Sequence, residues 1–168
     1  MYIKGKATEQ KTKKTGASME KRKTYTFDEA FKSSLEYFKG DELAARVWAN
    51  KYALKDSYGN LFEKNPDEMH RRLANEIARI ENRYPNPLSE EEIYELLKDF
   101  RYIVPQGGPM AGIGNEYQIA SLSNCFVVGS GADSYGGIMK TDQEQVQLMK
   151  RRGGVGHDLS HIRPSGSP

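Results

Sequence analysis

Between Tyr25 and Tyr102 the apolar residues return every three or four positions, and after Tyr102 that rhythm stops. Side chains that repeat with a period near 3.6 share one face of a helix and cannot share one face of a strand. The first stretch is therefore committed to helices. Residues 103–114, from Ile103 to Gly114, are too rich in Gly and Pro for a helix interior and read as a loop. The chain divides into a leader (1–24), a helical domain (25–102) and a second part of different construction (103–168).

Within the helical part the punctuation is explicit. Phe27, Ala30, Phe31, Leu35 and Phe38 line one helix that Gly40 ends. Asp41 can cap a second, with Leu43, Ala44, Val47, Trp48 and Leu54 as its buried stripe. A turn over 56–60 follows. Asn65 and Pro66 open a third helix with an inward face of Met69, Leu73, Ile77 and Ile80. Pro85 and Pro87 stop it. Ser89 through Glu92 restart a fourth with a capping-box arrangement, burying Ile93, Leu96, Leu97 and Phe100. In the second part, 119–128 includes a strand-like run ending Cys-Phe-Val-Val. Asp133 and Ser134 lead into a helix over about 137–152, the glycines at 153, 154 and 156 break it, and a short strand follows. No closing element is visible before Pro168, so a structural partner on another polypeptide, or a cut chain, is expected.

Composition narrows the class. A single Cys in 168 residues excludes an internal disulfide framework and any multi-cysteine metal site. No apolar run reaches the ~18–20 residues of a membrane helix, and the N-terminus lacks the apolar core of a signal peptide. A cytoplasmic chain that does not contact membrane is expected. Its 25 basic and 23 acidic residues nearly balance at +2, and 37% hydrophobic content is lean for a globule standing alone. The leader concentrates eight Lys and Arg residues against Glu9 and Glu20. A segment so poor in apolar side chains reads as a disordered tail. It could touch nucleic acid through charge alone, but no aromatic residues interleave its bases to stack on.

The residues able to carry chemistry lie in the second part. Cys125 sits between small polar residues and an apolar run. It reads either as a small buried hydrophobe or as a redox thiol, and redox work would need a second thiol from elsewhere. The run from Arg151 to Gly156 reads either as a phosphate cradle, with glycines allowing close approach and guanidinium groups forking onto oxygen, or as a helix end with basic residues answering the dipole. His157 and His161 have the spacing of a helical metal pair but flank an extended segment, and His70 stands alone. Glu90 to Glu92 read as a helix N-terminus rather than a catalytic pair.

Taken together, residues 121–128, 133–137 and 150–168 resemble the large, catalytic subunit of ribonucleotide reductases. The resemblance is dense from Pro105 to Pro168 and weaker over the helices, where 48–54 is similar to the entry of that catalytic domain. It implies an α+β chain: an N-terminal helical domain, then the first strand-helix-strand elements of the family's ten-stranded α/β barrel. It implies reduction of ribonucleotides to deoxyribonucleotides by radical chemistry. By the same resemblance Cys125 is the first-strand member of the redox cysteine pair, re-reduced by a thioredoxin-like protein. Asn124 and Gly108 match substrate-phosphate positions, and Gly154 would line the substrate pocket. Asp133, Ser134, Tyr135, Lys150 and Arg163 match the allosteric specificity site for a deoxynucleoside triphosphate or ATP. Asp133 and Arg163, thirty residues apart, leave room for one helix and a return strand between them. That helix is implied to pack across a dimer interface through Ile138, Val146 and Met149.

The radical cysteine, its polar partners and the second redox cysteine are expected on a further polypeptide, so this chain alone is expected to be inactive and to bind no cofactor by itself. The wording around Asn124–Val127 and Lys150–Gly154 leans toward the adenosylcobalamin-dependent class. Two other functions compete: a nucleotide-binding regulatory module using the Asp133/Arg163 site alone, and a nucleic-acid binder working through the basic leader.

Overall fold

A computed structural model describes residues 23–129 and 131–168. The expected basic tail lies outside the described residues, except for its last two positions. Helix α1 (Phe27–Tyr37) begins at Thr26, whose hydroxyl accepts from the Glu29 amide while the Glu29 carboxylate accepts from the Thr26 amide. Helix α2 (Glu42–Lys51) is capped by Asp41. Helix α3 (Pro66–Glu81) is capped by Asn65, with Pro66 at its first position. Helix α4 (Glu90–Leu97) carries the second capping box, between Ser89 and Glu92. Such caps each contribute ~1 kcal/mol by satisfying amides that a helix start leaves orphaned. The Glu29 carboxyl sits below the usual range because it accepts from the Thr26 amide and hydroxyl, and the Glu92 carboxyl because it accepts from the Ser89 hydroxyl and amide.

Helix α1 packs on α2, and α3 on α4. Their shared core is Ala30, Trp48, Ala49, Leu61, Met69, Leu73, Ala74, Ile93, Tyr94 and Leu97. Several expectations about buried faces change: Leu35, Leu96 and Phe100 are only half-buried. Leu43 is 73% exposed, because α2 turns Ala45, Trp48 and Ala49 inward. Ile77 and Ile80 are only half-buried, and His70, Ala74 and Ala78 share the inner face of α3 with Met69 and Leu73. In both helices alanines alternate with large buried side chains on the inner face, Trp48 on α2 and Met69, His70 and Leu73 on α3.

The stretch expected to be a loop contains a further short helix, α5 (Gly107–Gly112). Its residues do not favour it, and long-range contacts hold it instead. Arg72 of α3 donates to the carbonyls of Met110 (2.8 Å) and Ile113. Met110 and Ile113 pack against the helical core, and Ala111 is buried. The same guanidinium pairs with Glu63 at 2.6 Å, and Glu63 also accepts from the Leu54 amide at 2.8 Å. One buried ion pair thus ties α3, the segment after α2 and the end of α5.

Residues 113–124 are irregular except for local turns. Strand β1 (Cys125–Gly129) takes up the Cys-Phe-Val-Val run expected within 119–128, helix α6 (Tyr135–Met149) is capped by Ser134, and strand β2 (Gly154–Asp158) returns beside β1. The two strands run parallel, which requires the crossover that α6 supplies. Phe126, Val128 and Val155 form the half-buried face of this pair, while Cys125, Val127 and Gly154 belong to the exposed one. No helix among the described residues is long and apolar enough to cross a membrane.

Candidate functional site

The register of the strand pair places Cys125 directly opposite Gly154. Asn124, one residue earlier, joins three segments. Its side-chain oxygen accepts from the Gly108 amide at 2.6 Å, its side-chain amide donates to Gln106, and its main-chain carbonyl accepts from the Gly154 amide at 2.6 Å. Gly108, Asn124, Cys125 and Gly154, which the sequence analysis groups by resemblance, therefore meet in space. The start of α5 forms one side, and the opening of the two strands forms the other.

Gly108 leaves no room for a larger residue, and Gly154 leaves little. A Cβ on Gly108 would lie 2.8 Å from the Asn124 side-chain oxygen and 2.9 Å from the Leu122 carbonyl. On Gly154 it would lie 3.2 Å from the Asn124 carbonyl and 3.9 Å from the Cys125 sulfur. Close backbone approach is what glycine permits. The Cys125 side chain is a free thiol on an exposed residue. The buried-hydrophobe reading of Cys125 is thus not what the fold shows. The reason is that α6 covers the opposite face of the strand pair.

The run from Arg151 to Gly156 ends a helix and starts a strand. The Gly153 amide donates back to the Leu148 carbonyl at 3.1 Å, and Arg152 takes a left-handed backbone with φ of 71°. Gly153 is buried, and a Cβ there would come within 2.7 Å of the Phe126 ring. That ring contact, with the backbone reversal, accounts for Gly153 structurally.

A second cluster forms where α6 begins. Arg163 Nε lies 3.2 Å from Asp133 Oδ2, and the Ser134 hydroxyl caps α6 by accepting from the Gly137 amide. Tyr135, the first residue of α6, is 86% exposed beside them. The fold brings Asp133, Ser134, Tyr135 and Arg163 to one end of α6. Lys150 caps the other end, and fifteen helical residues at ~1.5 Å each separate the two. Arg163 also donates to the Pro168 carbonyl at 2.6 Å.

Among the described residues no group of three or more His, Cys, Asp or Glu side chains is placed to hold a metal ion. His157 and His161 flank Asp158, whose carboxyl is held below its usual range mainly by the Ser160 hydroxyl and amide. Gln106 is a site residue that the sequence analysis misses. It precedes the first residue of α5 without capping it through its side chain, and accepts from Asn124 eighteen residues later, a contact that no local signal marks.

Comparison with known proteins places this architecture. Residues 38–113 match the all-alpha domain of ribonucleotide reductase, and residues 123–168 match its barrel domain. Together the two matches take in most of the chain, in the order in which the structure lays out its helices and its strand pair. The fold is the ribonucleotide reductase all-alpha domain followed by the start of the barrel domain. More narrowly, the chain belongs with the large subunits of that family. It is 31% identical over 130 residues to the ribonucleoside-diphosphate reductase subunit alpha of Helicobacter pylori. That alignment covers 77% of this chain and 16% of the relative's length.

Proposed function

We propose that this chain supplies one redox thiol and part of the substrate-phosphate site to a ribonucleotide reductase, with ribonucleoside diphosphates as the favoured substrate class. The observation that carries the reading is the convergence on Asn124: its two oxygens hold the Gly108 and Gly154 amides, with the Cys125 thiol alongside. The relative's diphosphate reductase name favours the diphosphate over the triphosphate. In the proposed step Cys125 and a second thiol outside this chain give up two electrons and two protons. Ribonucleotide and dithiol become deoxyribonucleotide, water and disulfide. A thioredoxin-like dithiol then re-reduces that disulfide.

The cluster of Asp133, Ser134, Tyr135 and Arg163 is the proposed effector site for a deoxynucleoside triphosphate or ATP. Asp133 is placed to accept from a sugar hydroxyl and Arg163 to meet phosphate, once each exchanges its present partner for the nucleotide. Lys150 stands at the far end of α6, so its proposed role needs a second copy of the chain across the dimer interface. Val146 and Met149 are exposed along α6 with Tyr135 and Met139, which supports dimerisation through this helix; Ile138 is half-buried. The radical cysteine and the second redox cysteine are proposed to lie outside these 168 residues, on the same chain or another, in the cytoplasm. Adenosylcobalamin, if it is the radical source, would supply the initiating radical to residues outside this chain, and the described residues carry no step through it.

The test is Cys125→Ser in the complete enzyme that contains these residues. Dithiol-driven multiple turnover is expected to disappear while deoxynucleoside triphosphate binding persists. Full multiple turnover by the variant would falsify the assignment. Nucleotide binding by a chain that recovers no catalytic partner from its host lysate would favour the regulatory module instead.

A further inference from the structure

Arg152 takes a backbone conformation that an arginine rarely adopts, and its side chain reaches far. Its φ of 71° lies in the left-handed region, where a side chain crowds the following carbonyl. Its guanidinium donates at 3.0 Å to the Lys51 carbonyl, 101 residues earlier, at the C-terminus of α2. A helix C-terminus presents unpaired carbonyls and the negative end of the dipole, so a cation there is favoured. Lys55 shares this corner, donating to the Asn50 carbonyl at 2.7 Å. Its ammonium is held below its usual range by burial and then by the Arg152 charge, so the two cations coexist at some electrostatic cost.

The segment that Arg152 anchors is the one that closes the Asn124 site. Arg151 accepts through its carbonyl from the Ser121 amide at 2.9 Å, Gly153 lies against the Phe126 ring, and the Gly154 amide donates to Asn124. The facing side of the site is anchored to the same helical domain, because Arg72 grips the end of α5 and α5 carries Gly108. Asn124 can hold the Gly108 and Gly154 amides together only while both sides keep their distance from that domain.

We infer that Arg152 is a positioning residue: its link to the α2 C-terminus sets the place of Gly154, and so of Cys125, against Gly108 and Asn124. The inference rests on the proposed reductase site for its functional meaning, but its geometry can be tested without turnover. The experiment is amide hydrogen exchange, read by NMR, on the full 168-residue chain carrying Arg152→Ala, Arg152→Lys or Arg152→Gly. Loss of one charge-assisted hydrogen bond predicts roughly tenfold faster exchange at Gly154 and Gly108 in Arg152→Ala. The α3 amides of Leu73 and Ala74 should stay unchanged. Arg152→Lys, which keeps a cation able to reach one carbonyl, should restore most of the protection. Arg152→Gly accepts the left-handed backbone without strain and should still lose protection, because the link is gone.

Unchanged exchange at Gly108 and Gly154 in Arg152→Ala overturns the inference. So does equal acceleration across α3, which would mean a general loss of stability, and so does wild-type protection in Arg152→Gly. Because the readout is geometric, a failure here leaves the Cys125 turnover test to decide the reductase reading separately.

Discussion

Replacing Arg72 by Met tests the packing logic most directly. The Arg72 and Glu63 side chains are 10% and 5% exposed, so neither charge keeps its water when the other is removed. Among the described residues, Arg72→Met would leave the Glu63 carboxylate with only the Leu54 amide as donor, and would orphan the Met110 and Ile113 carbonyls. Breaking a buried pair from one side costs ~3–5 kcal/mol, most of it the penalty of an uncompensated charge. Removing both charges, in Arg72→Met with Glu63→Leu, should cost less, ~1–3 kcal/mol, because only the orphaned amide and carbonyls remain. Urea unfolding followed by fluorescence of the sole tryptophan reads both numbers. Trp48 is buried and its indole donates to the Met69 sulfur at 3.3 Å, so its emission reports the helical core. A single variant losing under ~1 kcal/mol would refute the argument. A double variant losing as much as the two singles added together would refute it as well, since the pair would then be no coupled unit.

Gly153→Ala would place a methyl within 2.7 Å of the Phe126 ring and 3.2 Å of the Leu148 carbonyl. Thermal denaturation should show an overpacking loss of ~1–3 kcal/mol, relieved in part by Phe126→Leu; a neutral Gly153→Ala would mean the ring moves freely. His70 is fully buried, and neither of its ring nitrogens has a hydrogen-bond partner among the described residues. Burial lowers its pKa, an effect opposed by Asp67 on α3 and Asp99 beyond α4; Tyr37 and Phe100 also face the ring. With the folded value below the unfolded one of ~6.5, stability holds above that pH and falls as the solution is acidified toward the folded value. The slope contributed by this one proton approaches ~1.4 kcal/mol per pH unit. His70→Leu should remove that slope from urea midpoints measured between pH 7 and 5, and an unchanged slope would show that His70 does not titrate differently on folding.

The helix starts were legible because their chemistry is local. Thr26 with Glu29, Asp41, Asn65 with Pro66, and Ser89 with Glu92 all act within four residues, so the sequence states each boundary by itself. Ser134 before α6 belongs to the same class. The order of strand, crossover helix and strand was also readable, from the apolar run after Asn124 and the glycines from 153 onward. The resemblance to the reductase family rested on these same segments.

What only the tertiary structure decided involves partners far apart in the chain. Helix α5 is composed largely of residues that disfavour helices, and it exists because Arg72 reaches its carbonyls from 38 and 41 residues away. Leu43 lies on the expected stripe of α2, yet the fit of Ala45 and Ala49 against their neighbours turns it outward. The resemblance marks Asn124, but only the fold makes it the junction of three segments. A cap or a periodic face is determined by neighbours within a turn or two, so the sequence determined those. A site built from single hydrogen bonds between distant segments depends on where the packed core puts each segment, and that only the folded chain decides.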